Sequence, residues 1–132
     1  MIFLDTSGLL CLFDASDAKH QTAKIYFDTT VNKIVTNYVV AEFVALAHAR
    51  RMPRLTALEL VVDLQHSSEV MMVYIDDQLH QVALAMLQSR LDKSWSLCDA
   101  ASFEVMRLYR ITDALTTDHH YEQAGYRSLL QV

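Results

Sequence analysis

Glycine and proline are nearly absent from this sequence, and their scarcity limits the folds open to it. The 132 residues include two glycines, Gly8 and Gly125, and one proline, Pro53. All-β sandwiches and barrels need turn residues at most of their hairpins, so those architectures do not fit this chain. The scarcity also leaves no glycine-rich loop of the common phosphate-binding types. We therefore expect a mostly helical chain with short connections.

Apolar patterning divides the chain into strands that alternate with helices. The predicted strands cover residues 1–4, 33–36, 70–75, 114–117 and 128–132, and the predicted helices cover residues 8–13, 17–30, 38–51, 56 onward, 79–91, 97–110 and a short segment ending near 125. The strand at 70–75 is a continuous apolar run, typical of a strand covered on both faces. Alternation without hairpins implies parallel strands joined by helical crossovers. We expect an α/β fold, with a central parallel sheet flanked by helices in one domain over residues 1–132.

The composition is that of a folded protein, with 52% hydrophobic residues, 20% charged residues and a formal net charge of −5. The beginning of the sequence lacks the basic residues of a secretory signal peptide, and no apolar stretch is long enough to cross a membrane. Cys11 and Cys98 lie within apolar segments, where buried free thiols are common. We therefore expect a cytoplasmic protein with no membrane partner.

Acidic residues stand where the predicted strands end and where the following helices begin. Asp5 and Asp118 come directly after two predicted strands. In a parallel sheet the ligand site lies beyond the carboxyl ends of the strands, so both are expected on that rim. Glu42 and Asp99 lie near the beginnings of their helices, beside the apolar faces. The pattern predicts that four carboxylates converge on one partly buried place.

Four carboxylates cannot gather in a buried place without a counter-charge, because repulsion and desolvation would protonate some of them. Mg²⁺ or Mn²⁺ is the natural counter-charge, since both prefer oxygen ligands. A carboxylate-bound ion of this kind supports hydrolysis of phosphodiesters by an activated water. The hydroxyls of Thr6, Ser7 and Thr117 are candidates to hold metal-bound waters or phosphate oxygens, or to satisfy the loop backbone.

Each acid also has a purely structural interpretation. Ser96 and Asp99 match a capping box, and Asp5 and Asp118 are credible N-caps. Glu42 can equally be a solvated helix residue. The six histidines lack the spacing of a zinc site, and surface or core roles are expected for them.

Four segments of the sequence resemble the PIN-domain ribonucleases, and within that family the compact VapC-like toxins of bacterial toxin–antitoxin pairs. The resemblance runs from residue 1 to about residue 126 and rests on Asp5-Thr-Ser, Val-Val-Ala-Glu42-Phe, Ser-Leu-Cys-Asp99-Ala-Ala-Ser-Phe-Glu-Val-Met and Ala-Leu-Thr-Thr-Asp118-His-His-Tyr-Glu-Gln-Ala-Gly-Tyr. Tyr121 and Tyr126 stand where phenylalanine is frequent in the family, and Cys98 stands where a small residue is common.

The resemblance implies a central parallel sheet and an acidic site that binds Mg²⁺ or Mn²⁺ and hydrolyses RNA. The family's acidic positions fall on Asp5, Glu42, Asp99 and Asp118, and its accompanying polar positions fall on Thr6, Ser7 and Thr117. We expect Asp5 and Asp99 to be the principal metal ligands. Toxin members commonly form homodimers and are silenced by a small antitoxin, so both partners are expected here.

The negative charge of the chain opposes binding to RNA phosphates. Two divalent ions would reduce the net charge from −5 to −1 without creating a basic surface. Arg50, Arg51 and Arg54 are the candidate RNA contacts. A PIN-fold module that acts through partners and no longer cleaves is the alternative function. A phosphorelay receiver also gathers acids at strand ends, but the lysine that such a domain needs after a late strand is missing beyond Lys93.

Overall fold

The computed structural model describes residues 1–131 as five parallel strands and seven helices. In chain order the elements are β1 (Ile2–Leu4), α1 (Thr6–Phe13), α2 (His20–Thr29), β2 (Lys33–Thr36), α3 (Asn37–Ala49), α4 (Arg54–His66), β3 (Val70–Val73), α5 (Asp77–Ser89), α6 (Leu97–Tyr109), β4 (Asp113–Leu115), α7 (His120–Gln123) and β5 (Arg127–Ser128). The predicted α/β class with a central parallel sheet is confirmed. No helix among the described residues has both the length and the apolar character that crossing a membrane requires.

The strand order β3-β2-β1-β4-β5 places β1 at the centre of the sheet. Phe3 pairs with Ile34 of β2 on one side and with Ala114 of β4 on the other. The chain winds outward from β1 to β3 and then returns to the opposite side of β1, at β4. Ligand sites of parallel sheets lie where the winding reverses, so the carboxyl ends of β1 and β4 are the place to look for chemistry.

Gly8 lets α1 lie directly against β4. A Cβ at this position would lie 2.0 Å from the backbone oxygen of Leu115, which is closer than real atoms approach. The backbone N–H of Asp5 donates to the same oxygen at 3.2 Å. The absence of a side chain at Gly8 therefore allows the beginning of α1, and with it Asp5, to lie beside the end of β4.

Three predicted boundaries differ from the structure for identifiable physical reasons. The helix predicted from residue 56 onward begins two residues earlier, because α4 starts at Arg54 directly after Pro53. The strand predicted at residues 70–75 ends earlier, at Val73, and the prediction that it is covered on both faces is wrong, since Met71 is 48% exposed. The last predicted strand is shorter than expected, since β5 ends at Ser128; its predicted final residue, Val132, lies outside the described residues.

The predicted strand at residues 114–117 ends early, at Leu115, and this difference affects the candidate site. The fully buried side chain of Thr116 leaves the ladder and donates to Asp5. The same hydroxyl accepts from the backbone N–H of Asp118 at 3.0 Å. Asp118 therefore follows a tight polar turn, rather than following the strand directly.

Candidate active site

Asp5 lies at the carboxyl end of β1, and side-chain hydroxyls hold both of its carboxylate oxygens. The phenol of Tyr121 donates to Oδ1 at 2.8 Å. Thr116 Oγ1 donates to Oδ2 at 2.7 Å, and Ser7 Oγ donates to the same oxygen at 3.1 Å. Although Asp5 occupies the N-cap position of α1, its side chain makes no capping hydrogen bond. The side chain is therefore oriented by the hydroxyls and not by the helix.

The carboxylate of Asp5 is buried, and burial disfavours its charged form. Burial raises the pKa of Asp5 from 3.8 to about 6, and the nearby charge of Asp99 adds to the rise. Hydrogen bonds from Thr116 and Tyr121 oppose that rise. Burial, together with the charge of Asp5, raises the pKa of Tyr121 well above 10, so its hydroxyl stays protonated and can donate. Such a buried carboxylate is one that a cation would stabilise.

Asp99 caps helix α6 and also lines the acidic cavity, as its position in the sequence suggests. Its backbone N–H donates to Ser96 Oγ at 3.0 Å, and its Oδ2 accepts from the backbone N–H of Ser96 at 3.0 Å, which completes a capping box at the beginning of α6. The carboxylate also lines the same cavity as Asp5. The cap fixes the orientation of the carboxylate, so it does not compete with a role in the site.

His120 lies between two of the acids, which the sequence pattern did not predict. Its Nδ1 is 3.1 Å from Oδ2 of Asp99 and 3.3 Å from Oδ2 of Asp118. Its Nε2 is 3.3 Å from Ser94 Oγ, and its backbone N–H donates to Oδ1 of Asp118 at 2.9 Å. The imidazole therefore belongs to the acidic site, although surface or core roles were expected for the histidines.

The four predicted acids line one cavity of about 320 Å³ at the carboxyl ends of β1 and β4. Glu42 lies on α3 and is half-buried, and no hydrogen bond or ion pair within residues 1–131 engages its carboxylate. The other residues lining the cavity are Thr6, Ser7, Leu10, Leu46, Arg50, Ser94, Ser96 and His120. The structure thus brings together side chains from α1, α3, α6 and the turn after β4.

Of the three hydroxyl residues predicted to support the acids, Thr6 and Ser7 line the acidic cavity and Thr117 does not. Thr6 lines the cavity, and its buried Oγ1 has no hydrogen-bond partner within residues 1–131. Ser7 is already engaged, since its Oγ accepts from the backbone N–H of Thr117 at 2.9 Å in addition to its contact with Asp5. Thr117 lines a neighbouring cavity instead, and the hydroxyl that reaches the acids belongs to Thr116.

Arg50 is the one of the three predicted RNA contacts that reaches the acidic cavity. It ends α3, where Arg51 takes a left-handed conformation with φ of 57° and Met52 N–H donates to the carbonyl of Ala47. Arg50 also lines the two neighbouring cavities, of about 350 and 410 Å³. Arg51 lines only the more distant of these, and Arg54 lines none of the three.

The donor set fits a hard divalent cation. Carboxylate oxygens from four acids face one cavity, one of them is buried with a raised pKa, and a buried threonine hydroxyl lacks a partner within the described residues. Asp118, His119 and His120 also offer ligand atoms that lie within 4.8 Å of one another. The carboxylate oxygens suit Mg²⁺ or Mn²⁺, whereas the imidazole of His120 is a ligand type that transition-metal ions favour over Mg²⁺.

Comparison with known proteins gives a consistent result. Residues 2–125 match the family described as PIN domain. The chain is 32% identical over 127 residues, which is 96% of its length and 95% of the relative's, to the "23S rRNA-specific endonuclease VapC20" of Mycobacterium tuberculosis, in two strains.

Two solved structures share the fold. A crystal structure of Mycobacterium tuberculosis VapC20, described as a sarcin–ricin loop cleaving toxin, superposes with a TM-score of 0.87 at 30% identity, covering 96% of each chain. FitAcB from Neisseria gonorrhoeae superposes with a TM-score of 0.64 at 14% identity, covering 97% of this chain and 96% of the other. At that identity the second likeness bears on the fold alone.

Proposed function

This chain belongs to the PIN domain family, and on that premise we propose that it is an endoribonuclease toxin that hydrolyses RNA phosphodiester bonds with a divalent metal ion. The observation that carries the proposal is the convergence of Asp5, Glu42, Asp99 and Asp118 on one cavity. VapC20, which is 32% identical over nearly the whole chain, is named as an endonuclease. The proposed ion is Mg²⁺ or Mn²⁺.

Asp5 and Asp99 would be the principal ligands, and Glu42 and Asp118 would complete the site directly or through waters. When bound, the ion lowers the pKa of a coordinated water and neutralises charge that develops on the phosphate. The two principal carboxylates are already fixed, Asp5 by three hydroxyls and Asp99 by its capping box. Ligands that do not reorganise on binding keep the reacting groups in position, which is an advantage in catalysis.

The remaining side chains of the cavity have separate roles in this proposal. The half-buried carboxylates of Glu42 and Asp118 face the cavity and can orient an attacking water and accept its proton. The hydroxyl of Thr6, which has no partner within residues 1–131, is placed to hold a water or a phosphate oxygen. No serine, threonine or cysteine needs to form a covalent intermediate, since the nucleophile is water.

The proposed substrate is structured RNA, the class to which the 23S rRNA target named for VapC20 belongs. Because the chain carries a net charge of −5, favourable contacts with phosphates must be local. Arg50 supplies such a contact, since its side chain lines the acidic cavity and the two cavities beside it. Lys19 lines one of these neighbouring cavities and adds a second cationic side chain there, beside Asp17.

The proposed partners are an antitoxin and a second copy of the chain, and the proposed location is the cytoplasm. Support for a protein partner comes from exposed apolar side chains that share one face of α4, namely Leu55, Leu58 and Val62. Support for a reducing compartment comes from Cys11 and Cys98, which are both free thiols.

Cleavage of RNA by the purified protein tests this function. A 23S rRNA fragment would be incubated with wild-type protein and Mg²⁺ or Mn²⁺, beside Asp5→Asn protein and an EDTA-treated sample. We expect cleavage by wild type alone. An inactive wild type that still binds the RNA fragment would favour the alternative function, a PIN-fold module that acts through its partners.

A further inference from the structure

The hydrogen bond from Tyr121 to Asp5 joins the two residues of the site that are farthest apart in sequence. The Tyr121 hydroxyl is the only side-chain donor in residues 1–131 that reaches Oδ1 of Asp5. The residue is fully buried on the short helix α7. Its hydroxyl lies 2.8 Å from that oxygen. A buried phenol needs a hydrogen-bond partner, and here the partner is a carboxylate of the proposed metal site.

Aromatic packing fixes the ring of Tyr121 before any ligand binds. The ring meets Phe103 edge-on, with centroids 5.0 Å apart and planes at 85°, and also contacts Phe3 of β1 at 6.4 Å. Phe103 is in turn packed edge-on against Trp95 at 5.1 Å. Rings held from several sides have one accessible rotamer, so the direction of the hydroxyl is set by the core.

The hydroxyl contacts limit how Asp5 can bind a cation. A carboxylate oxygen has about two acceptor directions. Thr116 and Ser7 both donate to Oδ2, whereas Tyr121 alone among the side chains of residues 1–131 donates to Oδ1. Oδ1 therefore keeps one acceptor direction that no side-chain hydroxyl of residues 1–131 occupies. The hydrogen bond from Tyr121 fixes the orientation of the carboxylate, and so it sets where this open acceptor direction points.

We infer that Tyr121 is a positioning residue for metal binding, because its hydroxyl locks the rotation of the Asp5 carboxylate. The inference rests on the proposed function in one respect, namely that Asp5 binds a divalent cation. Partners that orient metal ligands without touching the metal usually contribute roughly 10- to 100-fold to metal affinity. Tyr121 would act in this way from the hydrophobic core of the sheet.

The test uses Tyr121→Phe, which removes one oxygen and keeps the packed ring. Tyr126→Phe is a matched control, since the hydroxyl of Tyr126 donates to the backbone carbonyl of Phe103 at 3.1 Å and makes no hydrogen bond to any of the four acids of the site. Binding of Mn²⁺ alone would be measured by calorimetry and by electron paramagnetic resonance. We expect about tenfold weaker binding in Tyr121→Phe and wild-type affinity in Tyr126→Phe.

A second measurement detects the hydrogen bond without any metal. Melting temperatures of the metal-free wild type, Tyr121→Phe, Asp5→Asn and the double variant form a double-mutant cycle. We expect Tyr121→Phe to lower the melting temperature by several degrees in the wild-type background, and by clearly less in the Asp5→Asn background. Equal losses in both backgrounds would overturn the inference, because the hydroxyl would then not interact with the carboxylate.

Failure of the inference is distinguishable from failure of the proposed function. Wild-type affinity for Mn²⁺ in Tyr121→Phe overturns the inference and leaves the metal site intact. A wild type that binds no Mn²⁺ overturns the metal-dependent function and the inference together. A wild type that binds Mn²⁺, loses affinity in Tyr121→Phe, and yet cleaves no RNA supports the inference and overturns the nuclease proposal.

Discussion

The Nδ1 atom of His120 lies 3.1 Å from Oδ2 of Asp99, the oxygen that also closes the capping box of α6. Asp118 approaches the same nitrogen at 3.3 Å. An imidazole between two carboxylates reduces their mutual repulsion when protonated and offers a nitrogen ligand when neutral. The site is therefore built from four acids and a histidine, and the contribution of the histidine can be measured.

Replacing His120 with Gln should lower the rate of RNA cleavage by about tenfold or more, since partners of metal ligands typically contribute that much. Glutamine is similar in length but cannot place a ring nitrogen between Asp99 and Asp118. His66→Gln is a suitable control, because His66 is exposed on α4, its ring contacts the carbonyl of Val62, and it does not line the acidic cavity. Single-turnover cleavage of the 23S rRNA fragment measures the effect, and equal rates for both variants would remove His120 from the site.

Asp5→Asn should stabilise the metal-free protein at pH 7. The folded protein holds the proton of Asp5 up to about pH 6, whereas the ordinary pKa is 3.8, so the wild type loses stability as pH rises through this window. The difference corresponds to about 3 kcal/mol, and part of it is lost to imperfect hydrogen bonds around the amide. We expect a gain of roughly 1–3 kcal/mol at pH 7.

Thermal unfolding of both proteins between about pH 4 and pH 7.5 measures this effect. The wild type should become less stable relative to Asp5→Asn as pH rises toward 6, the pKa of the buried carboxyl, and adding Mn²⁺ should stabilise the wild type alone. Parallel pH profiles for the two proteins would contradict the buried carboxyl with its raised pKa.

Glu42→Gln should abolish most activity without affecting folding. The carboxylate faces the acidic cavity, and within residues 1–131 no hydrogen bond or ion pair depends on it. We expect a fall in the cleavage rate of about 100-fold, with a melting temperature within about 1 °C of wild type. Glu59→Gln, on the exposed surface of α4, is the control. Substantial activity in Glu42→Gln would assign Glu42 to a solvated helix surface.

Arg50→Ala should weaken RNA binding, and Arg54→Ala should not. Arg50 lines the acidic cavity and both neighbouring cavities, whereas Arg54 lines none of them. Losing one phosphate contact should raise KM several-fold with little change in kcat, and should reduce the slope of log K against log salt by about 1. Titrations of RNA at several salt concentrations give the slope. Equal slopes for the two variants would place the RNA elsewhere.

Gly8→Ala should destabilise the fold by roughly 3 kcal/mol, because the new methyl group would overlap the Leu115 carbonyl. Gly125→Ala is the comparison variant, because it introduces backbone strain without a steric clash. At φ of 94° that alanine meets no atom within 4 Å, so it should lose only about 1–2 kcal/mol. Urea unfolding measures both variants, and similar values would mean that α1 can withdraw from β4 at little cost.

The fold could be predicted from the sequence because the alternation of strands and helices is visible in local patterns of apolar residues. The strand at residues 33–36 was predicted with the observed bounds, and the four acids were predicted to converge from their positions after strands and at helix beginnings. Those signals come from residues close together in sequence. The resemblance to the PIN-domain family, confirmed by the match over residues 2–125, rests on the same segments.

The hydrogen bonds from Thr116 and Tyr121 to Asp5 could not be predicted, because they join residues 111 and 116 positions apart in sequence. Thr117 is the predicted supporting residue because the strand was expected to run to residue 117, whereas β4 ends at Leu115 and the hydroxyl that contacts Asp5 belongs to Thr116. Tyr121 was regarded only as a variant of phenylalanine, and its hydroxyl has a role only because Asp5 lies within hydrogen-bond distance of it. His120 is adjacent to Asp118 in sequence but was not predicted to belong to the site, because its contact with Asp99 joins residues 21 positions apart.

Asp5 is oriented by residues 111 and 116 positions later in the chain. While the protein is being synthesised, its first acid therefore emerges long before the hydroxyls that hold it. Closing so long a loop is slow relative to forming the local helices, so the site is expected to assemble among the last steps of folding. A ribonuclease built in this way would remain inactive on the ribosome that is making it until Thr116 and Tyr121 have emerged and folded against Asp5.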